Sequence, residues 1–281
     1  MEDSSQWPLY LASPHAKLGM RVSAQMVSAR TKKTRTVVVT QPTRMPKIPN
    51  GDVAERGGLR TEAGVIPLLM RIADSYPPAI AAVQGYIDVP RNAFNLSLLS
   101  MLPRNARIGD IGGGLGLFSP GCAALGFNVT LVDDLRDAWQ APVGEDIFDR
   151  VHRRFGVTIV NRDVVSDGVD FEPESFDAFT VFDTMEHWHN SPKRTFHQLM
   201  AALKPNGLFI ISAPNCVNLR KRITVPFGVG KWTAMRDWYE VEHFRSHVRE
   251  RDVADFRRLL RLRPSLCSDI YLVGQKAGMS S

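Results

Sequence analysis

Asp110-Ile111-Gly112-Gly113-Gly114-Leu115-Gly116 decides the reading of this chain, because it ends a short strand, Arg107–Ile111, and opens a helix that runs to about residue 125. Glycines in a strand-to-helix turn let the backbone pass close to a ligand, and the following helix presents free N–H groups. Several nucleotide binders share such a loop, so the flanking residues must discriminate. The dinucleotide pattern GxGxxG needs a glycine at 117, where Leu117 stands, and the phosphate loop GxxxxGK[ST] is absent. An acid two residues before the first glycine is present instead. Asp110 in that place suits a ligand carrying an ammonium group and repels a pyrophosphate.

Downstream, strand and helix alternate. Asn128–Asp133 reads as a strand, and 146–155 as a helix with Ile147, Phe148, Val151 and Phe155 on one face. Strands follow at 158–163 and 177–182. Ser191-Pro192 opens a helix with Phe196, Leu199, Met200 and Leu203 at helical spacing. Lys204-Pro205-Asn206-Gly207 is a turn, 208–213 a fifth strand, and 268–275 the closing strand. Asp252 caps a last helix that turns Val253, Phe256, Leu259 and Leu260 inward. The alternation predicts an α/β, Rossmann-like parallel sheet with helices on both faces, and ligands bind outside the carboxyl ends of such strands.

Upstream, Ile66, Leu69, Met70 and Ala73 recur at helical spacing until Pro77-Pro78, and further helical stretches cover 79–86 and 94–102. Residues 61–104 thus form a helical cover ahead of a core at 105–281. Residues 1–60 are rich in Ser, Thr, Pro and basic side chains, and read as a leader without fixed structure. Val37-Val38-Val39 is a candidate strand with no partner evident nearby. The acidic start lacks the basic-then-apolar pattern of a secretory signal.

Apolar residues make up 44% of the 281, enough for a sizeable core. No uninterrupted apolar run reaches the roughly 18–20 residues of a membrane span. The net charge of +6 resides in residues 1–51, where eight Lys or Arg face two acids; the rest balances at 27 of each sign. A broad nucleic-acid footprint is therefore not expected. Cys122, Cys216 and Cys267 form no CxxC pair and no even set, so a reducing cytoplasm is the expected location.

Two further acids end strands. Val132-Asp133-Asp134 closes the second, where Asp133 can accept both hydroxyls of a ribose. Asn161-Arg162-Asp163-Val164 closes the third, where Asp163 can accept from an adenine amino group while Val164 covers the ring. Together with Asp110 they describe an adenosyl site.

These motifs, with Phe182-Asp183-Thr184-Met185-Glu186-His187, Leu203-Lys204-Pro205-Asn206-Gly207 and Ala213-Pro214-Asn215, closely resemble the class I methyltransferases of the ubiquinone-biosynthesis type over residues 105–215. The resemblance implies a seven-strand sheet and S-adenosylmethionine as cofactor. Asp110, Gly112, Gly113, Gly114 and Gly116 would hold its methionine part, Asp133 its ribose, and Asp163 with Val164 its adenine. The segment after the fourth strand would line the site near the methyl group through Asp183, Glu186 and His187. The antiparallel pair that usually ends the sheet looks shortened, so the sixth strand is not located.

The implied acceptor is a small molecule, methylated on oxygen of a metabolite, sugar or lipid-linked glycan. RNA or protein methylation and a non-catalytic cofactor-binding module are the alternatives. A hydroxyl acceptor must lose a proton, for which His187, then His189, is the candidate base, with Asp183 beside them. Glu186-His187 could instead merely brace its loop. No metal is expected, although Asp183-x-x-Glu186-His187, with His243 or His247 folding back, resembles a Glu-x-x-Glu-His motif that binds a divalent ion in some relatives. The insertion at about 217–250, with Trp232, Trp238, Tyr239, His243, Phe244 and His247, is the expected acceptor pocket or lid.

Overall fold

A computed structural model describes residues 9–11, 36–40, 62–81, 85–136, 146–216, 218–228, 247–248 and 269–276. In chain order the strands and α-helices are β1 (Leu9–Leu11), β2 (Thr36–Thr40), α1 (Glu62–Ala73), α2 (Pro78–Ile80), α3 (Val89–Ser97), β3 (Arg107–Ile111), α4 (Phe118–Ala124), β4 (Asn128–Asp133), α5 (Asp146–Val151), β5 (Thr158–Asn161), β6 (Phe176–Phe182), α6 (Lys193–Ala202), β7 (Leu203–Pro214), α7 (Leu219–Thr224) and β8 (Asp269–Gln275). They form one sheet in the order β1-β2-β8-β7-β6-β3-β4-β5. β3, β4, β5, β6 and β7 run parallel, and β8 is antiparallel to β7.

Two apolar clusters pack the two faces. On one, Ile108, Leu131, Ala178 and Ile210 of the sheet meet Cys122 of α4, Ile147 and Val151 of α5, and Val65, Leu69 and Ile72 of α1. On the other, Ile111, Val132, Phe179 and Ile211 meet Leu199 and Ala202 of α6 and the segment carrying Val164 and Val169. Successive strand residues divide between the faces because the side-chain period of a strand is two. This alternation sends Asp110, like Ile108, toward α4.

The core contributes six strands, β3 through β8, and the place expected for a seventh is taken from the leader. β2 pairs antiparallel with β8 in the register Val37↔Val273, Val38↔Leu272, Val39↔Tyr271, and β1 pairs parallel with β2. The leader is therefore structured over these eight residues, and its remaining residues lie outside those described. A bare β8 edge would expose a row of backbone donors and acceptors, and three consecutive valines suit a strand that covers it. The partner was not evident in sequence because it lies at the far end of the chain.

The helical cover also differs in detail. The buried face of α1 is Val65, Leu69, Ile72 and Ala73, with Ile66 and Met70 flanking it. α3 begins at Val89 with Pro90 in its first turn, five residues before the expected start, because the fixed φ of proline suits a helix start. In the stretch 79–86 the described residues carry the single turn α2 and the start of a 3-10 turn at Tyr86–Asp88, and 82–84 lie outside those described. Lys204–Gly207 continues β7, with a register irregularity against β6 and Asn206 at φ +64°, rather than standing apart as a turn. The last helix expected after Asp252 lies outside the described residues.

Candidate active site

The glycine loop joins β3 to α4 at the carboxyl edge of the sheet. Gly112 has φ +70° and Gly114 φ +50°, a region that costs any other residue steric strain. Gly112 donates to Val132 O at 2.8 Å, which ties the loop to β4. Thr184, just after β6, sits directly against it: a Cβ on Gly112 would lie 2.1 Å from Thr184 Cγ2. The Thr184 hydroxyl lies 3.1–3.2 Å from the carbonyls of Ile111 and Gly112.

Asp110 does not face the crevice. Its carboxylate is 1% exposed and accepts from Ser119 Oγ and Thr180 Oγ1, each at 2.8 Å. Burial raises its pKa to about 6, with the two hydroxyls pulling it back down. Asp110 supports the loop from beneath, because strand alternation turns its side chain toward α4, and a Cβ on Gly113 would fall 2.1 Å from Asp110 Oδ2.

Asp133 is where the loop and the second strand meet. One carboxylate oxygen accepts from Gly114 N at 3.0 Å and the other from Leu135 N at 2.7 Å. Asp134 turns to its own corner and accepts from Arg136 N. Asp163 caps the turn after β5 by accepting from Val165 N, Ser166 N and Ser166 Oγ at 2.9–3.1 Å. Val164 packs into the α6-side cluster, 5% exposed, with its carbonyl taking the Thr195 hydroxyl.

Asp183 stands at φ +48° just beyond β6. Its carboxylate accepts from Ser212 Oγ at 3.0 Å and forms an ion pair with Arg91 at 2.8 Å. Arg91 comes from α3, so the helical cover reaches into the site; Tyr76 also donates to Leu115 O at 2.5 Å. Arg91 and Tyr76 were missed in sequence, since a contact 92 residues away leaves no local signal.

Glu186 is fully buried. His247 brings Nε2 to 3.9 Å from Glu186 Oε1, and the His187 and His247 rings meet edge-to-face at 4.9 Å between centroids. One ligand atom from each of Glu186, His187 and His247 lies within 4.8 Å of the others. Val248 N donates to Glu186 O at 2.8 Å, fixing the approach of the later segment. His189 is exposed and stands outside this group. The aromatic insertion residues Trp232, Trp238, Tyr239, His243 and Phe244 lie outside the described residues.

His152, at the end of α5, is fully buried. Burial lowers its pKa to about 4, against the raising effect of the Gly114 and Gly116 carbonyls, so the imidazole beside the loop is neutral at ordinary pH.

The carboxyl edge of the sheet thus carries a glycine loop, a strand-end carboxylate bonded to it, and an acid–histidine group in the segment after β6. Among curated proteins no sequence matches the chain. Solved structures resemble the chain at low identity. A SAM-dependent methyltransferase of Methanosarcina mazei is 18% identical, over 65% of this chain and 97% of the other, with TM-score 0.46. One from Thermotoga maritima is 16% identical, over 64% and 86%, with TM-score 0.43. The 1,6-didemethyltoxoflavin-N1-methyltransferase of Burkholderia thailandensis, solved with bound 1,6-didemethyltoxoflavin and S-adenosylhomocysteine, is 18% identical over 82% and 93%, with TM-score 0.45. A family described as methyltransferase domain matches residues 89–263, more than half of the chain. The chain therefore belongs to the methyltransferase-domain family and is a class I S-adenosylmethionine-dependent methyltransferase.

Proposed function

We propose that the protein moves the methyl group of S-adenosylmethionine to an oxygen of a small-molecule acceptor, a metabolite, sugar or lipid-linked glycan. The observation that carries the cofactor assignment is the Gly114 N–H to Asp133 bond at 3.0 Å. It sets the glycine loop and a strand-end carboxylate side by side, as an adenosyl ligand with a ribose diol requires. The residues fit that group: Gly112 and Gly114 form a cradle that a side chain would fill or strain, and a carboxylate offers about four acceptor positions. Gly112, Gly113, Gly114 and Gly116 would line the methionine end, Asp133 the ribose, and the Asp163 turn the adenine. The cofactor supplies an electrophilic methyl group on sulfur. The protein supplies alignment, which lowers the barrier by removing the freedom of two reactants.

His187 is the base assigned to the acceptor hydroxyl, being half-buried at the crevice and backed by Glu186 and His247. Asp183, held by Arg91 and Ser212, positions the segment that carries it. Asp133→Ala should weaken cofactor binding by roughly 1–3 kcal/mol, the scale of hydrogen bonds to a charged group. Calorimetry reads this directly, and unchanged affinity would remove Asp133 from the ribose role. The acceptor is found by incubating the protein with radiolabelled cofactor and fractionated cell extract, then identifying the labelled species by mass. Label on nitrogen or carbon would overturn the oxygen assignment.

A second reading is favoured by the convergence of Glu186, His187 and His247. Two imidazoles and one carboxylate suit zinc or a similar transition ion better than magnesium. Such an ion would lower the pKa of an acceptor hydroxyl. On this reading the purified protein retains about one equivalent of metal, and His247→Ala lowers its affinity by at least about a hundredfold, beyond the loss of an outer-shell partner. Metal content at background, with methyl transfer unaffected by chelator, would return His187 to the role of base.

A further inference from the structure

His152 follows α5 directly, and its backbone closes that helix. Its N–H donates to Phe148 O at 2.8 Å, and its carbonyl accepts from Phe155 N at 3.0 Å and Val157 N at 3.1 Å. The side chain is fully buried, with the Phe148 ring centroid 5.3 Å from its own. Phe148 and Val151 belong to the same apolar cluster as Leu115 and Leu117 of the glycine loop, and the turn Arg153–Phe155 packs against α4. The end of α5 thus backs the loop.

An imidazole in such a slot needs a reason. When neutral it carries one N–H donor and one acceptor nitrogen, and an apolar side chain of similar shape would fill the space without stripping either of water. Among the described residues neither ring nitrogen has a hydrogen-bond partner at normal geometry. The acceptors that bear on the ring are the Gly114 and Gly116 carbonyls. Buried polar groups in native proteins rarely stay unpaired, so these two carbonyls are its partners in waiting.

The rest of the loop backbone is already held. Gly113 O accepts from Gly116 N at 3.0 Å, Leu115 O accepts from the Tyr76 hydroxyl at 2.5 Å, and Gly114 N donates to Asp133 at 3.0 Å. A trans peptide carries its C=O and N–H on opposite sides. A donor on the Gly114 or Gly116 carbonyl therefore also fixes the direction of the Leu115 or Leu117 N–H, away from His152.

We propose that His152 is a positioning residue for the cofactor: its ring N–H donates to the Gly114 or Gly116 carbonyl as the loop takes the methionine end of S-adenosylmethionine, and it holds the loop peptides in that orientation. His152 meets neither cofactor nor acceptor; it acts through the loop. The inference rests on the methyl-transfer reading.

Calorimetry with S-adenosylhomocysteine on the full chain tests it. His152→Leu fills the slot without a donor and should raise Kd about tenfold, the scale of one hydrogen bond, while the melting temperature stays within a few degrees of wild type, at about 3 °C or less for a change of this kind. His152→Asn and His152→Gln place an amide donor near one or the other ring nitrogen, and at least one of them should bind within about threefold of wild type. In turnover the leucine variant should lose on KM for S-adenosylmethionine, with kcat within about twofold. A second readout uses the wild type alone, and decides the matter if His152→Leu does not fold. With 15N in the histidine rings, the His152 N–H signal should move downfield and exchange more slowly with water when S-adenosylhomocysteine is added. Unchanged Kd in the leucine variant, equal losses in all three variants, or an unmoved signal at saturation would overturn the proposal and leave the cofactor assignment standing. Wild-type protein with no affinity for S-adenosylhomocysteine would sink that assignment and this inference with it.

Discussion

Gly112→Ala should destabilise the protein by about 3–5 kcal/mol and abolish measurable cofactor binding. Two independent costs add. At φ +70° a residue with a Cβ carries backbone strain of about 1–3 kcal/mol. The new methyl would also lie 2.1 Å from Thr184 Cγ2 and 2.9 Å from Thr184 Oγ1, and overpacking of this kind costs about 1–3 kcal/mol. Thr184 cannot swing aside without leaving the Ile111 and Gly112 carbonyls near its hydroxyl. Scanning calorimetry should show a melting temperature lower by about 10 °C, given the usual shift per kcal/mol for chains of this size. Adding Thr184→Ser to Gly112→Ala removes the closer contact and should restore roughly half of the loss, because the backbone strain remains. A melting temperature for Gly112→Ala within a degree of wild type would show that the loop is not built as described.

The second large effect concerns acid. Asp110 has a folded-state pKa of about 6 against an ordinary 3.8. The folded state therefore holds its proton more tightly, and the stability this contributes is present below pH 3.8 and lost as pH rises through 6. His152 is the reverse, at about 4 against an ordinary 6.5. Its contribution is present above pH 6.5 and lost as pH falls through 4. Each shift of about two units corresponds to about 3 kcal/mol. In the wild type the two slopes oppose each other between pH 4 and 6 and nearly cancel. Relative to wild type, Asp110→Asn should lose about 3 kcal/mol more stability between pH 7 and 4, and His152→Gln should gain about as much. Urea melts at several pH values measure the difference. Parallel curves for wild type and both variants would place these groups in solvent.

Both predictions turn on residues whose roles the sequence shows only in part. The glycine loop is legible because its spacing and the strand ahead of it are local. The alternation of strands and helices is legible for the same reason: periods of two and about 3.6 are written in neighbouring residues. Asp133, read from sequence as the ribose acid in preference to Asp134, meets the loop through Gly114 N, whereas Asp110 and Val164, read as ligand residues from their place at strand ends, have buried side chains. The difference has one cause. Ending a strand places a residue at the edge of the sheet, but the alternation and the helix above it decide whether its side chain meets ligand or core. For Asp110 that helix is α4, and its Ser119 sits 2.8 Å away.

The sequence by itself determined the fold class, the position of the glycine loop and the set of strand-end acids, since each depends on residue types at short, fixed spacing. Tertiary structure alone decided that Val37–Val39 pair with β8, that Arg91 grips Asp183, and that His247 joins Glu186 and His187. Those contacts join segments far apart along the chain. Their partners are selected by the closing of sheet edges and the pairing of buried charge, which no local pattern records.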